Sequence, residues 1–149
     1  MPIRDENKAR YPKDWKAISL RIRERAGNEC EKCKAVNGEL ICREQSEDYH
    51  FEPTYADETG QVFSAEDGRH MGFRSVQDIE CKWVRVVLTV AHLDHQPENC
   101  ADENLRAWCQ RCHNIYDMPM RKAGIASRAR QQYAAADLFA PPPTPQETP

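Results

Sequence analysis

The stretch ENLRAWCQRCHNIYD, residues 103–117, holds an Asn-Leu pair, two cysteines two residues apart, a histidine behind the second and an aspartate four residues later. Two residues between cysteines let both sulfurs face one ion at the tip of a turn. The same spacing occurs once more, at Cys30 and Cys33, and two such knuckles complete a tetrahedral four-sulfur shell of the kind that suits zinc. Cys30, Cys33, Cys109 and Cys112 are therefore the expected ligands of one structural Zn²⁺. A closed shell of this type holds a fold together and does no chemistry itself.

Working outward, 149 residues with 40% hydrophobic content fit one small domain. No apolar run approaches the roughly 20 residues needed to cross a bilayer, and the opening MPIRDENKARYPKDW lacks the apolar core of a secretory signal. A cytoplasmic protein without membrane association is expected. Seven cysteines in a reducing compartment do not make a disulfide framework, and an odd number cannot all pair within the chain. Cys42, Cys81 and Cys100 have no partner at ligand spacing and read as core or surface thiols.

The net charge of -3 argues against a nucleic-acid partner only until the charges are placed. Residues 10–34 carry a net +4, residues 106–130 a net +5 and residues 44–80 a net -8. Local charge, not the sum, sets the field that a phosphate backbone meets. Both basic segments contain a Cys-x-x-Cys pair, although charge runs are also the ordinary composition of solvated helix faces.

YPKDWKAISLRIRERAG reads as a helix over 12–26, with Pro12 in its first turn, Trp15, Ile18 and Ile22 on one stripe, and Gly27 as its stop. Its apolar stripe is expected to pack over the metal region. From Cys42 to Asp78 the chain is acidic and interrupted by Pro53, Gly60, Gly68 and Gly72, which predicts an irregular insert over 43–80 with one hairpin. CKWVRVVLTVAHLDH is the strongest strand signal and delivers His92 to its end before the polar turn QPENCADEN. Beyond Asp117 an Ala-rich stretch is helical in character, and the Pro-rich 140–149 predicts a disordered tail. The result is an α+β domain over 1–139 whose core is 12–34 and 81–120.

Residues 90–117, VAHLDHQPENCADENLRAWCQRCHNIYD, together with Cys30 to Cys33, resemble the HNH endonucleases in the form where paired Cys-x-x-Cys knuckles hold a structural zinc. His92 lies twelve residues before Asn104, and Asn104 nine before His113. The resemblance implies a ββα-metal core with an N-terminal and a C-terminal helix, and metal-dependent hydrolysis of DNA phosphodiesters. In that family the first His ends a strand and is the general base, the Asn braces the loop, and the last His, on the helix, binds a catalytic divalent ion such as Mg²⁺, Mn²⁺ or Ni²⁺. The chemistry fits those residue types. An imidazole with a reference pKa of about 6.5 can take a proton from water near neutral pH, and a divalent ion can stabilise the phosphate and the departing oxygen. Asp117, one helical turn after His113, is a further candidate for that ion.

The chain departs from the family at Ala91, where Asp or His commonly ligates the catalytic metal. Asp94 is the substitute this sequence offers. Asp94 with His95 is also a base-bearing pair in a shifted register, but that leaves only nine residues before Asn104, too short for the usual loop. Two rivals follow from the same residues: a non-catalytic zinc-knuckle module binding nucleic acid or protein, and a redox or metal-sensing protein using Cys42, Cys81 or Cys100. Small stand-alone HNH proteins resemble those of phages and prophages, some of which act with DNA-packaging machinery, and this is analogy alone.

Overall fold

The computed structural model describes residues 5–43, 52–78 and 81–139. The tail expectation for 140–149 and the part of the acidic insert at 44–51 lie outside these residues. The architecture is α+β. Helices α1 (Asp5–Lys8), α2 (Trp15–Arg25) and α3 (Gln110–Phe139) accompany seven strands: β1 (Leu40–Arg43), β2 (Thr54–Asp57), β3 (Gln61–Ser64), β4 (His70–Phe73), β5 (Trp83–Arg85), β6 (Leu88–His92) and β7 (Leu105–Cys109). The chain divides into two compact units, Met1–Asn114 and Ile115–Pro149. Both sheets and both knuckles belong to the first.

Helix α2 begins three residues later than its sequence suggests, because Pro12 lies in the preceding turn and accepts a bond from the Trp15 amide. It stops at Gly27, whose φ of 65° is left-handed, while the Asn28 amide reaches back to the Arg23 carbonyl. The stripe is buried as its spacing predicts, but not over the metal region: Ile22 is fully buried against Val90, Leu105 and Ala107, with Trp15 and Ile18 at the margin, while the four knuckle cysteines belong to a separate cluster. These partners come from β6 and β7, which pair antiparallel as a two-stranded ribbon.

The strong strand signal at 81–95 divides into two strands. Trp83–Arg85 joins the larger sheet beside β1, and Leu88–His92 pairs with β7. Crossing between sheets would leave backbone groups unpaired at the switch, and the Gln110 side chain fills the gap. Its Oε1 accepts from the Val87 amide at 3.0 Å and its Nε2 donates to the Arg85 carbonyl at 2.8 Å.

The acidic insert is more regular than its sequence predicts. Three consecutive strands, β2, β3 and β4, extend an antiparallel five-stranded sheet ordered β4-β3-β2-β1-β5. Asp57 Oδ1 organises the β2–β3 turn by accepting from the amides of Thr59 and Gln61 and from the Thr59 hydroxyl. Gly60 has φ of 89°, and a Cβ there would meet the Arg74 carbonyl at 2.3 Å. Four-residue strands whose burial does not alternate, as in β2 where the neighbours Tyr55 and Ala56 are both buried, give little periodic signal, and acidic residues such as Glu58, Glu66 and Asp67 sit exposed between or beside them.

The contact between α2 and the ribbon is one of the hydrophobic clusters of the first unit. Ile22→Ala should cost about 2–4 kcal/mol in urea unfolding, the usual range for a fully buried aliphatic truncated to Ala, while the metal content of the folded protein stays unchanged.

Candidate metal centre and the His92 loop

The first knuckle follows directly from the end of α2. The Cys30 amide bonds to the Ala35 carbonyl, the Lys34 amide bonds back to the Cys30 carbonyl, and Lys34 takes the left-handed conformation with φ of 59°. The second knuckle spans the last residue of β7, Cys109, and the first turn of α3, Cys112. The Glu31 side chain ties the two together. Its Oε2 accepts from the Ala107 amide, its own amide donates to the Ala107 carbonyl, and Arg25 bridges Glu31 to the Leu105 and Asp102 carbonyls.

The four sulfurs lie within 4.8 Å of one another, and each of the four cysteines is at most 1% exposed. Cys33 Sγ and Cys109 Sγ are 3.7 Å apart. A tetrahedral shell with bonds of about 2.3 Å separates its sulfurs by about 3.8 Å, so the donors fit a zinc-sized ion. Hydrogen bonds from Cys112, Cys30 and Cys33 push the Cys109 thiol far below its ordinary value, while the bond to Cys109 pushes Cys112 up. Sulfur binds a dication as thiolate, so loading a metal at this cluster releases protons. Among the described residues, these four form the one group of three or more His, Cys, Asp or Glu side chains that converges in this way.

His92, Asp94 and Asn104 gather at the opposite end of the ribbon. Strand alternation puts Leu88, Val90 and His92 on one face, opposite Cys109, Ala107 and Leu105, with Thr89 and Ala91 on the other. A single face thus carries Cys109 at one end and His92 at the other. His92 is 8% exposed. Its ring stacks on Trp15 at 5.0 Å and meets Tyr11 edge-on at 5.8 Å, and Nε2 lies 3.8 Å from Cys100 Sγ. Burial pushes the imidazole below its ordinary value, opposed by Asp94 and reinforced by the charge of His113. Burial therefore disfavours the charged form of the ring.

Asn104 braces the loop between the strands. Its carbonyl oxygen accepts from the Asp94 amide at 3.1 Å, its amide nitrogen donates to Asp94 Oδ1 and to the Asn99 carbonyl, and its backbone carbonyl accepts from Leu93. Asp94 is committed to the same network. Oδ1 also accepts from the Gln96 amide and Oδ2 from Asn99, and these bonds lower its carboxyl to about 2. Both oxygens take part in holding the loop. His113 lies on the Thr89 face, where its Nδ1 is 2.7 Å from the Thr89 hydroxyl. Asp117 falls in the second unit, further along the same helix.

Two other expectations change. Cys42 and Cys81 are not isolated thiols. The pairing of β1 with β5 brings them together as a disulfide pair, Cα atoms 5.9 Å apart, a separation suited to the bond. The basic residues of α2 are also less available than their number implies, because Arg21 pairs with Asp102 and Arg25 with Glu31. Tyr11 and Trp15 against His92, and Thr89 against His113, carry no local signal. Each contact joins residues brought together by the hairpin or by helix packing.

Comparison with known protein families, curated proteins and solved structures returns no match for the chain. The candidate site thus stands on its own geometry.

One zinc per chain is the expected metal content by elemental analysis. Cys109→Ser should release it and unfold the first unit, because a shell of this kind contributes folding free energy directly. Freshly purified protein without metal would refute the assignment.

Proposed function

We propose that the chain is a metal-dependent HNH-type endonuclease, in which the four-cysteine centre holds zinc as a structural ion and His92 and His113 work on a DNA phosphodiester. The observation that carries this reading is the order of parts. A strand ending at His92, a loop braced by Asn104, a returning strand and a helix with His113 in its first turn follow one another without interruption. In this reading His92 takes the proton from the attacking water. Its burial favours the neutral imidazole that such a base needs. In this reading His113, whose Nδ1 shares a hydrogen bond with the Thr89 hydroxyl that orients the ring, is the helix ligand of a divalent ion. That ion would supply charge stabilisation at the phosphate. DNA would be held through exposed basic residues such as Lys13, Lys16, Lys32 and Lys34, which act on the backbone and carry little sequence information.

A second reading, a zinc-stabilised binding module without catalysis, draws on a specific feature. His92 is buried beneath Trp15 and Tyr11, Ala91 stands at the usual ligand position, and the Asp94 carboxylate is occupied. Supercoiled plasmid incubated with Mg²⁺, Mn²⁺ or Ni²⁺, against an EDTA control, separates the two. Nicking that depends on the metal supports the enzyme, and its absence with retained DNA binding supports the module.

Two outcomes are expected of the enzyme. His92→Ala should keep fold, zinc and DNA affinity and lose roughly two to four orders of magnitude in cleavage rate, the yield of general-base catalysis. His113→Ala should lose activity that returns in part at high Mn²⁺, because added metal replaces lost affinity but not a lost base. DNA binding should weaken steeply as salt rises, since each phosphate contact releases counterions. A flat salt response would point to a protein partner.

A further inference from the structure

The five-stranded sheet lies outside the HNH-like segment, yet one of its cross-strand pairs touches both knuckles. Register places Arg43 of β1 opposite Tyr55 of β2. The Tyr55 hydroxyl donates to the Cys33 carbonyl at 3.0 Å, which holds the first knuckle. Arg43 lies over the Tyr55 ring at 5.6 Å, and its Nη2 donates to Cys109 Sγ at 3.4 Å, which reaches the second. Arg43 Nη1 is buried with no hydrogen-bond partner among the described residues, so oxygen acceptors do not account for the placement of this guanidinium.

Charge accounts for it. Four thiolates around a dication carry a net charge of about -2, and here they sit in a cluster with Ile41, Tyr55, Ala65, Val86 and Leu88. A net anion among apolar side chains is unfavourable unless a cation stands beside it. Guanidinium is the more weakly hydrated of the two common side-chain cations and stacks readily on an aromatic face. Its N–H also draws electron density from the sulfur it touches, which makes that thiolate less basic and so less readily protonated off the metal.

We propose that Arg43 is the counter-cation of the four-cysteine centre, held there by Tyr55, and that this is the role of the sheet in the first unit. The inference rests on a metal at the four cysteines and is independent of whether the chain cleaves DNA.

The test uses the full chain loaded with zinc or with Co²⁺, comparing wild type with Arg43→Met, Arg43→Gln and Arg43→Lys. Zinc transfer to a chromophoric chelator should be on the order of 10- to 100-fold easier in Arg43→Met, the usual effect of removing a partner of a metal ligand. In the Co²⁺ form, the sulfur-to-metal charge-transfer band should move to lower energy, since a thiolate without its N–H partner is a stronger donor. Arg43→Lys should recover part of the zinc retention, and Arg43→Gln, with a donor but no charge, should recover less. A merely structural role would leave the band unmoved. Wild-type zinc retention and an unchanged band in Arg43→Met would overturn the proposal. If Arg43→Met does not fold, the remaining pair decides: better retention by Lys than by Gln supports the counter-charge, and equal retention refutes it.

Discussion

Four buried sulfur atoms at one point are the constraint on which the first unit depends. They arrive from the chain that follows α2, from the last residue of β7 and from the first turn of α3, so the position of each element is fixed by the others. The hydrophobic core alone is modest: the fully buried large side chains are few, and several of them are the cysteines themselves. A small domain with so few large buried side chains gains from a staple, and a metal gathering these four sulfurs would be one.

The ribbon of β6 and β7 then transmits that constraint. One of its faces begins at Cys109, continues through the Val90, Ala107 and Leu105 surface that receives Ile22, and ends at His92 beneath Trp15. The helix that enters the first knuckle is the same helix that caps the imidazole. The opposite face meets His113 through Thr89. The two histidines are thus positioned by different sides of one rigid hairpin, with the Asn104 network controlling the loop that joins them.

The legible parts of the sequence were those with a short repeat distance. The Cys-x-x-Cys doublet needed only two residues of spacing to declare a shared site, and the stripe of Trp15, Ile18 and Ile22 needed only helical periodicity to identify its buried face. The chain hid what depends on pairing across long separations. Neither Cys42 with Cys81 nor Arg43 with Tyr55 and Cys109 has a local pattern, since both follow from the register of β1 with its neighbours. The split between β5 and β6 was hidden for another reason: a continuous apolar run does not record that a glutamine 25 residues away will complete its hydrogen bonds at the crossing. Asp94 was visible as a carboxylate, but its partners were not, and those partners give it to the loop.

The antiparallel match of β1 with β5 sets residues 40 and 85 side by side inside the span that separates Cys33 from Cys109, 76 residues apart in sequence. The two closures are nested. Once the inner one has formed, more than half of the outer span no longer counts as free chain, and shortening a loop by a factor of two lowers its closure entropy by about 0.6 kcal/mol. The gain is small beside the free energy of a metal site, but it has a direction. A sheet inserted between two halves of a metal site lengthens the chain between them; by closing on itself, this one brings the two knuckles nearer along the chain.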